Sequence, residues 1–191
     1  MRALLLNGAP EGESYLDSVE RHLDALLTAA GWEVDRVALR ESKIAGCRGC
    51  FGCWIHSPGI CVIDDEAREV ARLMVGADLL LGLTPVVFGG YSAELKQALD
   101  RSIGNILPFF VLQAGEVLHA RRYPYAWRLA AVGVQARPDE GEADLFRRLV
   151  VRNARNFQCS MTGSAVLVES DRWEEVATEL TGLLRQMGVG A

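Results

Sequence analysis

The chain has 191 residues, half of them hydrophobic, which predicts one packed domain over residues 1–191 and excludes a disordered chain. Its net charge of -5, without any basic run, argues against nucleic acid or a membrane surface as the main partner. No apolar stretch approaches the roughly 18 residues of a spanning helix. The opening residues, Met1 and Arg2 before ALLLNG, predict a strand and no secretory signal, so we expect a cytoplasmic protein with reduced thiols.

The first half of the chain alternates between apolar strands and amphipathic helices. The run RALLLNG predicts a strand buried on both faces, and Ser14 begins a helix that reaches Ala30. The more polar run WEVDRVAL predicts an edge strand. After a cysteine-rich loop at about residues 44–63, an Asp-Asp pair is predicted to cap a helix to about Val75, and ADLLLGLTP predicts the third strand.

The second half continues the alternation. SAELKQALDRSIGNIL predicts a helix from Ser92 that breaks near Gly104 or Pro108, and the segment from there to Trp127 is irregular enough for a lid or a subunit contact. RLAAVGV and GSAVLVES predict two more strands, each followed by a helix. The whole pattern predicts an α/β fold, a doubly wound five-stranded parallel sheet in the order 2-1-3-4-5 with helices on both faces.

Ligands of such sheets bind beyond the carboxyl ends of the strands, where strands 1 and 3 diverge. The loop NGAPEGES follows the first strand there, and its backbone N–H groups could hold a phosphate at a helix start. It has neither a dinucleotide fingerprint nor the lysine of a P-loop. The alternative is that Gly8, Pro10 and Gly12 only form the turn and Ser14 only caps the helix.

Four features in order along roughly the first 100 residues carry a family resemblance: NGAP-x-G-x-S, C-x2-C-x2-C, the pair DD, and TPVVFGGYSAELKQALDR. Together they resemble the NAD(P)H-dependent FMN reductase branch of the flavodoxin-like flavoproteins, and most of all the iron-sulfur flavoproteins. The resemblance implies a flavodoxin-like fold, bound FMN, NAD(P)H as a transient reductant and an oxidoreductase activity. Relatives commonly form dimers or tetramers, which implies a homodimer or homotetramer here.

The resemblance also implies which residues contact FMN. The phosphate would lie along the first loop, near Gly8, Ala9, Pro10, Gly12, Glu13, Ser14 and Tyr15. The isoalloxazine ring would lie along the loop after strand 3, near Pro85, Val86, Val87, Phe88 and Gly89, with Gln135 after strand 4 as a further contact. Without the resemblance, the aromatic residues of the second loop could equally plug the edge of the core.

This sequence departs from the family pattern in the first loop. Ala9 stands where a hydroxyl is usual, Glu11 where arginine is usual, and Glu13 where asparagine is usual. Two carboxylates near a phosphate dianion repel it, so the departures predict weakened binding of FMN. Farther on, Lys96, Asp100 and Arg101 predict an ion-pair set on a helix surface and not a catalytic group.

The stretch GCRGCFGCWIHSPGIC places Cys47, Cys50, Cys53 and Cys61 in the spacing C-x2-C-x2-C-x7-C. Zinc, a reversible dithiol and a thiol-rich structural loop are all open readings of this spacing. The resemblance implies a 4Fe-4S cluster held by the four thiolates, close to the flavin. A glycine before each of the first three cysteines tolerates positive φ and lets backbone N–H groups approach sulfur.

Three hypotheses of function follow. The first is an FMN-dependent oxidoreductase that takes electrons from NAD(P)H and passes them to a small-molecule or protein acceptor; the flavin carries the chemistry, so no catalytic side chain is predicted. The second is a non-enzymatic iron-sulfur flavoprotein that relays electrons between proteins. The third, suggested by Glu11 and Glu13, is a thiol or metal sensor on a scaffold that has lost FMN.

Overall fold

The computed structural model describes residues 1–12 and 14–190, without the side chain of Ser14. The helices are α1 (Ser14–Ala29), α2 (Gly52–Ile55), α3 (Ala67–Gly76), α4 (Ala93–Arg101), α5 (Glu140–Asn156) and α6 (Trp173–Gln186). The strands are β1 (Arg2–Asn7), β2 (Glu33–Ala38), β3 (Leu79–Pro85), β4 (Ile106–Gln113), β5 (Glu116–Arg121), β6 (Arg128–Gln135) and β7 (Met161–Val168). Short 3-10 turns follow β2 and α4.

Five strands form one parallel sheet in the order β2-β1-β3-β6-β7, which confirms the predicted α/β class and the five-stranded parallel sheet. Counted in chain order among the five strands of the sheet alone, this corresponds to the predicted order 2-1-3-4-5. The hairpin was not predicted: β4 and β5 lie between the third and fourth sheet strands in the chain and pair with each other in a separate antiparallel sheet. The polar strand β2 lies at an edge, and β1 and β3 lie inside.

The sheet is covered on both faces. One core cluster joins the sheet to the apolar stripes of α1 and α6, including the buried Leu23 and Leu180. The second joins it to α3, α4 and α5, including the buried Met74, Leu95 and Phe146. Strands buried on both faces explain why β1, β3 and β6 read as continuous apolar runs.

The hairpin corrects the predicted helix over residues 92–107. That helix ends at Arg101, and the backbone becomes extended from Ile106 onward. Two residues close the hairpin, Ala114 and Gly115, and both have positive φ, as a tight turn between twisted strands requires. Alanine is rarely found in that conformation, so the pair gave no turn signal in the sequence.

In the part of the chain that the structure describes, no helix is long and apolar enough to cross a membrane.

Candidate functional site

The loops that follow β1, β3 and β6 meet at one edge of the sheet. Asn7 at the end of β1 lies beside Leu83 of β3, and Pro85 at the end of β3 lies beside Val134 of β6. The Val86 N–H donates to the Val134 carbonyl at 2.8 Å, which holds the start of the second loop to the end of β6. The predicted FMN-contacting segments therefore adjoin, as carboxyl ends of parallel strands do.

Two amides of the first loop are already occupied. The Gly8 N–H donates to the Leu83 carbonyl at 2.8 Å, and the Ala9 N–H donates to Asn7 Oδ1 at 2.9 Å. Ala9 is fully buried in the core, whereas Pro10, Glu11 and Gly12 are exposed. A phosphate would therefore have to bind farther along the loop than Ala9.

Gly8 is required for packing. A Cβ at Gly8 would lie 2.7 Å from Ser92 Oγ and 2.8 Å from Leu95 Cβ, both at the start of α4. Ser92 Oγ in turn accepts the Leu95 N–H at 3.2 Å and caps α4. Gly8 thus lets the end of β1 approach the start of α4 closely.

Asn7 organises this loop, and the sequence reasoning missed it. Its buried amide donates to Asp17 Oδ1 at 3.0 Å and to Glu20 Oε2 at 2.7 Å, while its oxygen holds the Ala9 amide. Arg40 donates to Asp17 Oδ1 at 2.9 Å and completes the network. A polar residue at the end of a fully apolar strand was the one sequence signal for it, because buried polar groups are retained where they are hydrogen-bonded.

Of the last three residues predicted to contact the phosphate, Glu13, Ser14 and Tyr15, the structure describes the side chain of Tyr15 alone. Tyr15 is half-buried, and its hydroxyl donates to the Val168 carbonyl at 3.4 Å. Burial raises the pKa of Tyr15, with the nearby Asp171 and Glu169 adding to the effect. Glu13 and the side chain of Ser14 lie outside the described residues.

The loop after β3 is a tight turn that exposes an aromatic ring. Val87 and Gly90 exchange backbone hydrogen bonds of 3.1 and 2.8 Å, with Phe88 (φ 49°) and Gly89 (φ 73°) between them. Positive φ is a genuine outlier for a bulky residue. Phe88 is 91% exposed and Val87 44%. The turn therefore presents Val87 and Phe88 to solvent, whereas Tyr91, the other aromatic residue of this loop, packs edge-on against buried Phe146 at 5.7 Å and does fill the core edge.

The other residues predicted to contact the isoalloxazine ring are less exposed and hold the loops in place. Pro85 and Val86 are partly buried. A Cβ at Gly89 would lie 2.7 Å from Leu145 Cβ, so the turn packs closely on α5. Gln135 is buried, and its amide donates to the Asp139 carbonyl at 2.9 Å, which fixes the loop before α5.

The four cysteines of the loop line one small cavity of about 40 Å³. Cys47 and Cys50 are exposed, Cys61 is half-buried and Cys53 is buried. Burial raises the pKa of Cys53, and the charges of Cys61, Cys47 and Cys50 raise it further. Within residues 1–12 and 14–190, no group of three or more Cys, His, Asp or Glu side chains converges as a single metal ion requires.

The glycines of this loop have different roles. Gly49 has φ +63°, the conformation predicted for it. A Cβ at Gly52 would lie 2.5 Å from Val62 Cγ1, so Gly52 is required for space. Positive φ also occurs at Phe51, which was not predicted.

A buried ion pair closes the loop. The Arg101 Nη1 and Nη2 atoms each donate to an Asp65 carboxylate oxygen at 2.7 Å, and they also donate to the carbonyls of Ala45 and Ile63 on either side of the cysteines. The Arg101 side chain is only 1% exposed, so its predicted place on a helix surface is wrong. Lys96 and Asp100 do form the predicted surface pair, at 2.6 Å. Although burial alone would raise the pKa of Asp65, the hydrogen bonds from Arg101 and Ala45 hold it below its usual value.

Trp54 joins the cysteine loop to the hairpin. Its indole N–H lies 2.9 Å from the Ile106 carbonyl and 3.1 Å from that of Ile103, and its ring stacks on Phe51 at 5.2 Å. The Trp54 ring also contacts His119 of β5, with the two ring centroids 5.1 Å apart.

Curated relatives match about half of the sequence. An iron-sulfur flavoprotein of Methanosarcina thermophila is 36% identical over 87 residues, 44% of each chain, and one of Methanocaldococcus jannaschii is 31% identical over 102 residues, 53% of this chain and 52% of the relative. The chain thus aligns with about half the length of these curated relatives.

Solved structures match over the whole chain. An NAD(P)H:quinone oxidoreductase from Methanothermobacter marburgensis superposes with a TM-score of 0.67 at 16% identity, covering 100% of this chain and 94% of its own. An FMN-dependent NADH-azoreductase from Bacillus anthracis, in complex with FMN, superposes with a TM-score of 0.66 at 11% identity, covering 98% and 97%. At these identities the likeness establishes the fold.

A family model described as NADPH-dependent FMN reductase matches residues 1–136, from β1 to the end of β6. That match contains the first two loops at the carboxyl edge and the cysteine loop, and it ends where the third loop begins. Because it covers well over half of the 191 residues, the chain belongs to the NADPH-dependent FMN reductase family.

Proposed function

We propose that the protein is an FMN-dependent oxidoreductase that takes electrons from NAD(P)H and passes them to a small-molecule or protein acceptor. The observation that carries this is that the three loops follow neighbouring strands at the carboxyl edge, with Val87 and Phe88 exposed in one loop and Pro10–Gly12 exposed in the next. An apolar surface next to backbone amides suits a flat ring that carries a phosphate.

The residues present fit FMN. The phosphate would bind along residues 11–15, because the amides of Gly8 and Ala9 are occupied. The ring would lie over Val87 and Phe88, where the strained turn holds both side chains outward. When bound, FMN supplies the ring that accepts a hydride. The chain's part is to position that ring, to shield it from water and to leave room for a nicotinamide.

We further propose that Cys47, Cys50, Cys53 and Cys61 hold a 4Fe-4S cluster. All four line one cavity, as a single group held by four thiolates requires. The curated relatives named above are iron-sulfur flavoproteins, which supports the same assignment. Reduced cysteines are required, and we therefore propose the cytoplasm as the location.

The electron-relay hypothesis and the enzyme hypothesis differ in whether the protein binds a nicotinamide nucleotide. A protein that only relays electrons needs no nicotinamide site, so NADPH would leave its flavin oxidised. The two solved structures of the same fold described above are a quinone oxidoreductase and an azoreductase, which favours the enzyme.

An anaerobic visible spectrum tests the proposal. Purified protein reconstituted with FMN, iron and sulfide should show flavin absorbance that NADPH bleaches, together with about four irons and four sulfides per chain. Flavin that binds but is not bleached supports the relay, and absence of flavin binding supports the sensor hypothesis.

A matched pair of cysteine variants assigns the iron. Cys50→Ser should lower bound iron, whereas Cys159→Ser should not, because Cys159 lies outside the loop, half-buried beside the core. Burial raises the pKa of Cys159 to about 12, which keeps it a protonated thiol. Equal iron content in the two variants would contradict the cluster assignment.

A further inference from the structure

A groove of about 610 Å³ lies behind the cysteine loop. It follows one side of α3, from Ala67 to Val75, and is closed by Gly59, Gly104 and Tyr123. Its volume is within the range of about 300–1,000 Å³ that small-molecule sites occupy. None of the residues predicted to contact FMN lines it, so it is separate from the loops at the carboxyl edge.

The groove and the cysteine cavity share a wall. Cys53, Cys61 and Arg101 line both of them, on opposite sides. The wall is thin because Gly104 has no side chain: a Cβ there would lie 3.3 Å from Cys53 Cβ and 3.3 Å from the Gly59 carbonyl oxygen. A molecule in the groove would therefore lie against Cys53 and Cys61, whereas Cys47 and Cys50 line only the cysteine cavity.

The lining suits a ligand that is both aromatic and anionic. Tyr123 provides an aromatic wall and stacks on Tyr125 at 5.9 Å with the rings 14° from parallel. Three arginines line the groove, and each is paired with one carboxylate: Arg68 with Asp64, Arg72 with Glu69 and Arg101 with Asp65. A guanidinium has five N–H donors, more than one carboxylate accepts, so donors remain for an anionic ligand. Arg72 lies at the open side, 66% exposed, with its Nε donating to Glu69 at 2.7 Å.

The shared wall also contains an unsatisfied donor. Arg101 is 3% exposed, and its Nε is a buried nitrogen without a hydrogen-bond partner, although both other nitrogens are occupied by Asp65 and backbone carbonyls. Because Arg101 lines both cavities, this donor can serve an acceptor on either side of the wall, and the Cys61 sulfur is one such neighbour.

We propose that this groove binds a planar aromatic anion, held between Tyr123 and the arginines of α3 against the wall of Cys53 and Cys61. The ligand's place next to the cysteines makes it the electron acceptor, which rests on the proposed function. For a quinone of this class the balance is complete. The hydride of NAD(P)H supplies two electrons and one proton, solvent supplies the second proton, and the two carbonyl oxygens become hydroxyls.

The test measures binding of anthraquinone-2-sulfonate to the FMN-saturated protein by equilibrium dialysis. Ala71→Trp fills the groove from α3 and should raise the Kd at least about tenfold. Arg72→Gln removes one rim charge and should raise the Kd roughly two- to fivefold. Neutral 2-(hydroxymethyl)anthraquinone should bind the unaltered protein more weakly than the sulfonate.

Two control variants lie outside the groove. Ala25→Trp adds the same side chain to an exposed position of α1, and Arg148→Gln removes an arginine that is also 66% exposed and also paired with a carboxylate. Both should leave the Kd unchanged. Should Ala71→Trp fail to fold, judged by circular dichroism, the comparison of Arg72→Gln with Arg148→Gln decides.

The outcomes separate this proposal from the proposed function. If FMN binds and NADPH bleaches it, but anthraquinone-2-sulfonate does not bind or binds the groove variants and controls equally, the groove proposal is overturned alone. If FMN does not bind, yet probe binding still depends on Ala71 and Arg72, the groove stands as a binding site and the proposed function fails.

Discussion

The roles of single residues at the carboxyl edge depend on tertiary contacts that the sequence does not show. Gly8 looked like part of a phosphate-binding turn, but its nearest neighbours are Ser92 and Leu95 of α4. Asn7 ends strand β1, and its side chain also accepts a hydrogen bond from the Ala9 amide and donates to the carboxylates of Asp17 and Glu20. Both residues thus position the first loop, and neither is free to bind the phosphate itself.

Gly8→Ala should destabilise the protein by about 1–3 kcal/mol, because the added Cβ overlaps atoms that the α4 cap holds in place. Urea unfolding monitored by circular dichroism measures the change. Gly182→Ala is the control: it lies inside α6 with nothing within 4 Å of the added Cβ, so it should stabilise by about 0.5–1 kcal/mol. Two changes of the same sign would contradict the packing role of Gly8.

At the scale of elements, the cysteine loop is held by groups outside it. Arg101 comes from the end of α4 and Asp65 from the start of α3, and together they bind the backbone on both sides of the cysteines. Arg68 adds a hydrogen bond of 2.9 Å to the Cys61 carbonyl. The loop is therefore shaped by its neighbours before any ligand binds, which is how a site is preorganised.

Asp65→Asn should cost about 3 kcal/mol at neutral pH, because it leaves the Arg101 charge buried without its partner. Asp100→Asn, which breaks the exposed pair with Lys96, should cost less than about 1 kcal/mol. Unfolding free energies of both variants and of the unaltered protein provide the comparison.

The same pair predicts a pH dependence. The folded-state pKa of Asp65 is lowered, so its contribution is fully present above the ordinary value of about 4 and is lost as the pH falls through the folded pKa. The stability difference between the unaltered protein and Asp65→Asn should therefore shrink below about pH 4. A difference that stays constant down to pH 2 would show that the carboxylate charge is not what stabilises the loop.

At the scale of the whole molecule, one sheet with a core on each face carries every site, and we propose that residues 1–191 are one domain. The hairpin of β4 and β5 is the part least covered by the rest of the chain. It exposes large apolar side chains on both of its faces: Phe109 (68%), Phe110 (66%), Leu112 (76%) and Val117 (67%). Exposed apolar surface of this kind marks an interaction site, and we propose that it forms the contact of a homodimer or homotetramer.

Val117→Glu should shift the protein towards the monomer, because it places a charge within the apolar surface of the hairpin. Light scattering after size exclusion, over a range of concentrations, measures the assembly. Val151→Glu makes the same change on the exposed side of α5 and should leave the assembly unaltered. A monomeric unaltered protein, or equal effects of both variants, would refute the hairpin contact.

The sequence by itself determined the parallel sheet, its edge strand and the three loops at its carboxyl edge, because a buried strand and an amphipathic helix each leave a periodic apolar pattern in consecutive residues. It also determined the cysteine spacing. Only the tertiary structure decided that Arg101 is buried against Asp65, that two loop amides are occupied, and that a groove shares a wall with the cysteines. Those contacts join residues far apart in the chain, and no local pattern records which distant side chain an arginine or a glycine will meet.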